Sequence, residues 1–214
     1  SATQVADEFL EGGVIFTARH RGKVVEEARA TSGGAAAKLP IVVLVNEFSA
    51  SASELVAGAL QDQGRATVVG AATFGKGSVQ SILALPTGDG MKLTTQRYFT
   101  PSGRGIQAVG VVPDVVVAAA ALPPDEVIRE RDLGNHLGPE GKSLRVVPPA
   151  VVKPEGSVAP PKAEPERVVP ADPALGRDEA LKVAFKIATD KAAQARQPRT
   201  SGGEAPGPQG LPQI

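Results

Sequence analysis

The chain has 214 residues, and 23 Lys+Arg balance 23 Asp+Glu, so its formal net charge is zero and charge gives no reason to expect nucleic acid or an anionic membrane as a partner. The absence of Cys excludes disulfides, thiolate nucleophiles and zinc ribbons, while two His leave little for a histidine metal site and 3% aromatics are too few to stack single-stranded nucleic acid. No apolar run reaches the roughly eighteen residues of a spanning helix, and the start, SATQVADEFLEGG, lacks the profile of a signal peptide and reads as a cut or mature terminus.

Residues 1–122 carry the signals of an α/β core. Residues 41–45 (IVVLV), entered through Pro40, form a continuous apolar run, the mark of a strand buried on both faces. A turn of small residues over 46–50 leads into a helix ending near Asp62, with Leu55, Val56, Ala59 and Leu60 as its apolar stripe. Residues 67–69 are a second buried strand, so the three elements read as a βαβ unit with a right-handed crossover. Residues 78–85, 91–95 and 115–117 read as further strands, the first two joined as a hairpin by Gly88-Asp89-Gly90.

The rest of the chain is composed differently. Only four of the 19 Pro precede residue 123, and Phe185 is the one aromatic beyond it. Such a stretch buries too little apolar surface to offset its ordering entropy. The organisation expected is a core over 1–122, a short extension over 123–137, a Pro-rich linker over 138–176 without regular structure, a helix over 177–194 and a disordered tail over 195–214. In that helix Leu181, Phe185 and Ala188 share a face, flanked by Val183 and Ile187, a face suited to docking on the core.

Four features invite a chemical reading. Ser49-Ala-Ser51-Ala-Ser53-Glu54 stands where a buried strand turns into a helix, a common place for α/β sites. There, backbone N–H groups and the helix dipole point at any oxygen that becomes negative. Ser51-x-x-Glu54 is equally a capping box, the commoner role of such a pattern. Gly70-Ala-Ala-Thr-Phe-Gly75-Lys76 fits most of a phosphate-cradling loop, but Gly77 replaces the Mg²⁺-binding hydroxyl and a strand follows where a helix is needed. Lys76 is then either an ordinary surface lysine or a base, since an apolar setting favours the neutral amine. Ser-Lys pairs are an established variant of the triad logic, and Gln80, four residues on, could orient the lysine. The stretch from Arg97 to Arg104 reads as a loop with aromatic packing. His20, in a basic His-Arg-Gly-Lys turn, and His136 read as solvated or capping residues.

Taken in order, these segments resemble the carboxy-terminal processing peptidases, or tail-specific proteases. The resemblance rests on Ile41-Val-Val-Leu-Val-Asn46, Ser49 to Glu54, Ala57-Gly-Ala-Leu-Gln-Asp62, Gly64-Arg-Ala66 and Thr73-Phe-Gly-Lys-Gly-Ser-Val-Gln80. It continues through Leu93-Thr-Thr, Arg97 to Arg104, Ile106-Gln107 and Val112-Pro-Asp114. The resemblance implies part of a crotonase/ClpP-like α/β core and serine endopeptidase chemistry without metal or cofactor. Ser51 would be the nucleophile, Lys76 the general base, Gln80 the side chain positioning the lysine, Ala52 N–H an oxyanion donor and Glu54 a support at the helix start. It also implies unfolded or C-terminal protein segments as substrates, an adaptor or activating protein, and a bacterial cell-envelope or periplasmic setting. Family members carry upstream a PDZ domain and an Asn-Pro-Gly-Gly turn with the second oxyanion donor, so this fragment alone is expected to be inert. Phe48 departs from the Gly of many members. The rival expectation is a non-catalytic peptide-binding or scaffolding protein on the same fold.

Overall fold

A computed structural model describes residues 1–117, 127–140, 150–152 and 178–196. In chain order the elements are α1 (Ala2–Asp7), β1 (Val14–His20), β2 (Lys23–Arg29), β3 (Val42–Val45), α2 (Ala52–Asp62), β4 (Thr67–Gly70), β5 (Ser78–Ala84), β6 (Gly90–Phe99) and β7 (Val115–Val117). They are followed by a short 3-10 turn (Glu130–Asp132), β8 (Ala150–Val152) and α3 (Glu179–Arg196). Two four-stranded sheets result, an antiparallel one ordered β2-β1-β6-β5 and a parallel one ordered β3-β4-β7-β8.

Helix α2 holds the sheets together because it is apolar on two sides. Leu55, Ala59 and Leu60 join Ile15 and Phe16 of β1 and Leu10 after α1 in one core. Ala57 joins Val45 and Val68 of the parallel sheet, with Val111, in a second. Small residues make this possible: a side chain at Gly58 would begin 2.8 Å from Thr100 Cγ2. The stripe read from sequence was therefore one face of two, and Val56, counted in it, is only half-buried.

The βαβ reading is matched, since β3 and β4 are parallel neighbours with α2 between them in the chain. The hairpin around Gly88 is matched as well, with β5 and β6 paired from Ser78↔Arg97 to Ala84↔Gly90. Strand β3 differs from its expected burial: it lies at the edge of its sheet and Leu44 is 44% exposed. A continuous apolar run reports two apolar faces, not two covered ones. The β1–β2 hairpin, closed by Arg21 and Gly22 at positive φ, was not anticipated. Nor was β8, whose three residues pair parallel to β7 within the linker expected to lack regular structure; the rest of that linker after residue 140 and the tail beyond 196 fall outside the described residues.

A C-terminal helix forms over Glu179–Arg196, where one over 177–194 was expected, and it docks. Leu181, Ala184, Phe185 and Ala188 line an apolar groove against Pro40, Ile41, Val42 and Leu44, and Lys191 Nζ donates to Thr67 Oγ1 at 2.6 Å. Among the described residues no helix is long and apolar enough to cross a membrane. Ala184, 6% exposed, is where the docking is tested, because a buried carboxylate there has no partner. Ala184→Asp should release α3, so that its amides exchange like those of an isolated helix while those of α2 keep their protection. Unchanged protection of α3 would show that the helix does not depend on this contact.

Candidate active site

The site is built where β3 hands over to α2. Asn46 shapes the turn, its Oδ1 accepting from Phe48 N–H at 3.1 Å, while Ser49 Oγ accepts from Asn46 N–H at 3.1 Å. Ser51 follows at φ 56° and ψ −112°, a backbone conformation that costs an L-residue of order 1–3 kcal/mol and gathers at functional sites. Its N–H donates to Glu54 Oε2 at 2.7 Å, yet its side chain makes no capping hydrogen bond. Half of the capping box is thus made, and the hydroxyl is left out of it. Ala52 is the first residue of α2, and its N–H belongs to the first-turn donors that have no acceptor within a helix.

Glu54 organises the rest. It is fully buried and accepts four hydrogen bonds from two separate pieces of chain, the turn at Ser51 and the loop over 73–76. Oε1 takes the Thr73 hydroxyl and Gly75 N–H (2.7 Å), and Oε2 takes Ser51 N–H and Lys76 N–H (2.9 Å). Because Ser51 and Lys76 donate to one oxygen, their backbone nitrogens can be no further apart than those two bonds laid end to end. Phe74 N–H donates to the Ser49 carbonyl at 2.9 Å and closes the same junction. Burial raises the Glu54 carboxyl above its ordinary range, and the bonds from Thr73, Ser51, Gly75 and Lys76 oppose that rise. All four suit the ionised form, which only accepts.

Lys76 leaves the loop with an exposed side chain, and Gln80, in β5 opposite Thr94, is exposed as well. The apolar enclosure anticipated for the lysine is not provided by the described residues of this chain. The phosphate-loop alternative is excluded by geometry, since β4 ends at Gly70 and strand β5, not a helix, follows the loop.

Other motif residues are structural. Arg104 pairs with Asp62 and also donates to Gln61 Oε1 at 2.8 Å, pinning the 100–105 loop to the end of α2. Asp114 accepts from Val68 N–H at 2.7 Å and from Gln61 at 3.0 Å. Arg19 of β1 lies 4.3 Å over the ring of Phe99. Residues 97–99 belong to β6, however, so the loop read over 97–104 begins only at Thr100, because pairing with β1 extends the strand. His20 and His136 bond the carbonyls of Thr95 and Leu133 at the exposed periphery. Sequence reasoning gave no role to Thr73, fully buried beside Glu54, whose signal was a hydroxyl two residues before a glycine in an otherwise apolar stretch.

The model of peptidase family S41 matches residues 1–117. The carboxy-terminal-processing protease of Bartonella bacilliformis is 45% identical over 142 residues, which are 64% of this chain and 32% of that protein. A carboxyl-terminal-processing protease of Synechocystis is 42% identical over 123 residues, 58% of this chain and 28% of the relative. Among solved structures, a photosystem II D1 C-terminal processing protease is similar with a TM-score of 0.53 and 37% identity, over 54% of this chain and 30% of that one. The chain thus spans about a third or less of the length of the relatives it matches.

The four-fold acceptor role of Glu54 yields an expected outcome. A carboxamide accepts on one oxygen only, so Glu54→Gln should destabilise the fold by roughly 1–3 kcal/mol for each buried donor left unsatisfied. Thermal unfolding of the two proteins measures it, and equal midpoints would rule out the carboxylate as the junction.

Proposed function

The chain belongs to peptidase family S41, and from that premise we propose that it is part of a serine endopeptidase of Ser-Lys type that processes proteins near their C-termini. In this reading residues 1–122 are one portion of a catalytic core, followed by an extension, a linker and a terminal helix. The neutral amine of Lys76 takes the proton from Ser51 Oγ, and the oxygen attacks the peptide carbonyl. Ala52 N–H holds the oxyanion, and Lys76 returns the proton to the leaving amine as the C–N bond breaks. Gln80 orients the lysine. Water then repeats the sequence on the acyl-enzyme.

The observation that carries this reading is the shared carboxylate, since Ser51 and Lys76, far apart in sequence, hang by their amides on Glu54 Oε2. The positive φ of Ser51 and its uncapped hydroxyl support it. The exposure of Lys76 favours a second reading, in which this portion binds peptides without cutting them until further chain encloses the amine. Substrates are then unfolded or C-terminal segments of proteins, an adaptor presents them, and the setting is a bacterial cell envelope or periplasm.

The test is cleavage of an unstructured protein by this chain alone and by this chain joined behind the upstream portion of the Bartonella relative. Ser51→Ala and Lys76→Arg should both abolish turnover in the joined form, because arginine cannot release its proton near neutral pH. A Lys76→Arg protein keeping more than about a tenth of the rate, roughly 1.4 kcal/mol of barrier, would show that Lys76 is not the base. Binding of the substrate without cleavage by the joined form would favour the second reading.

A further inference from the structure

The loop that carries Lys76 is held from two sides, and Glu54 is only one of them. On the other side stands Gln107, 1% exposed. Its Oε1 accepts from Gly77 N–H at 3.0 Å, and its Nε2 donates to Glu130 Oε1 at 2.8 Å and to the Leu137 carbonyl at 3.2 Å. Chemistry fixes which end of the carboxamide faces which way, because an N–H requires an acceptor while a carboxylate and a carbonyl require donors. The two loops touch backbone to backbone. A side chain at Gly77 would begin 2.4 Å from the Gln107 nitrogen, and Ala108 N–H donates to the Gly75 carbonyl at 2.9 Å.

Residues 127–140 also reach this loop directly. Glu130 N–H donates to the Phe74 carbonyl at 3.1 Å, and Arg129 Nη1 to the Thr73 carbonyl at 3.4 Å. The far end of the segment is fastened by Arg97, which bonds the Gly138 carbonyl at 3.0 Å and pairs with Glu140 at 2.9 Å. Arg97 stands opposite Ser78, two residues past Lys76. This segment lies beyond the residues 1–117 that the family model matches, yet it grips the lysine loop by backbone and by side chain.

We propose that Gln107 is a positioning residue for Lys76, its buried carboxamide transmitting the docking of residues 127–140 to the backbone at 75–77. The amides of Gly75 and Lys76 end on Glu54 and that of Gly77 on Gln107, so the lysine sits between two buried acceptors. Glu54 is fastened to the nucleophile turn, and Gln107 is fastened to the docked segment. Seating of that segment therefore sets where the amine can reach. The proposal rests on Lys76 acting as the base.

The test is a charge-reversal cycle in the whole chain, read by amide hydrogen exchange at Gly77. Gln107→Glu keeps an acceptor for Gly77 but sets a second carboxylate against Glu130, which should speed exchange at Gly77 by about tenfold or more, as for a buried amide whose acceptor is displaced. Adding Glu130→Gln puts a donor opposite that new acceptor and should restore most of the protection, while amides of α2 stay unchanged throughout. Glu130→Ala, at a residue half-buried within an otherwise largely exposed segment, reads the same bridge should Gln107→Glu fail to fold. In the joined form used for cleavage, kcat should fall about tenfold in Gln107→Glu with KM unaltered, and recover in the double variant. Gly77 exchange unchanged by Gln107→Glu, no recovery in the double variant, or faster exchange with kcat unaffected would each overturn the proposal. Lys76→Arg is run alongside: activity retained there removes the base reading itself, while the exchange results continue to judge the Gln107 bridge.

Discussion

A carboxylate sealed from water is expensive unless its lone pairs are taken up, and the architecture around residue 54 is arranged to take them up. Four donors from two stretches of chain converge on it. None is a charged partner, so the negative charge is met by dipoles whose positions the fold must guarantee. That requirement runs both ways: if the turn at Ser51 or the loop at Lys76 moves, the carboxylate loses bonds it cannot replace from solvent.

Helix α2 supplies the guarantee. Wedged between an antiparallel and a parallel sheet, it is buried along residues 54–60 apart from Val56, and its first turn is fixed at the carboxyl end of β3. Loops leave β3 and β4 at the same end of the parallel pair, since Val45 stands opposite Gly70. The serine turn and the lysine loop therefore start as neighbours, and the long-range bonds refine a proximity that strand pairing has already created.

Much of this was legible in the sequence where the local signal and the tertiary outcome coincide. Residues 41–62 and 67–69 announce strand, helix and strand because apolar runs and a helical stripe need no partner to be read. Ser51 was ambiguous for a physical reason: a serine starting a helix has the same neighbours whether its hydroxyl caps or reacts, and only backbone angles separate the two. Gln107 entered only among the residues that carry the family resemblance, without a role, because burial of a carboxamide is a property of three loops meeting. The β1–β2 hairpin carried its Arg-Gly turn in plain view, but its second strand, KVVEEAR, is almost wholly exposed and lacks the clean alternation that marks a half-buried strand. Strand β8 depends on pairing with β7, a long-range contact that three residues of sequence cannot encode.

The edge position of β3 has a colloidal consequence. Among the described residues, no strand pairs with one side of Val42–Val45. An uncovered strand edge is a template for another copy of itself, and repulsion between molecules is the usual safeguard. Here that safeguard vanishes near pH 6.7, where the chain carries no net charge. Self-association through this edge is therefore strongest around neutrality and weakens as acid or base restores a common sign. The same strand that delivers the serine to its turn makes the pH of handling a determinant of how far copies of the chain associate.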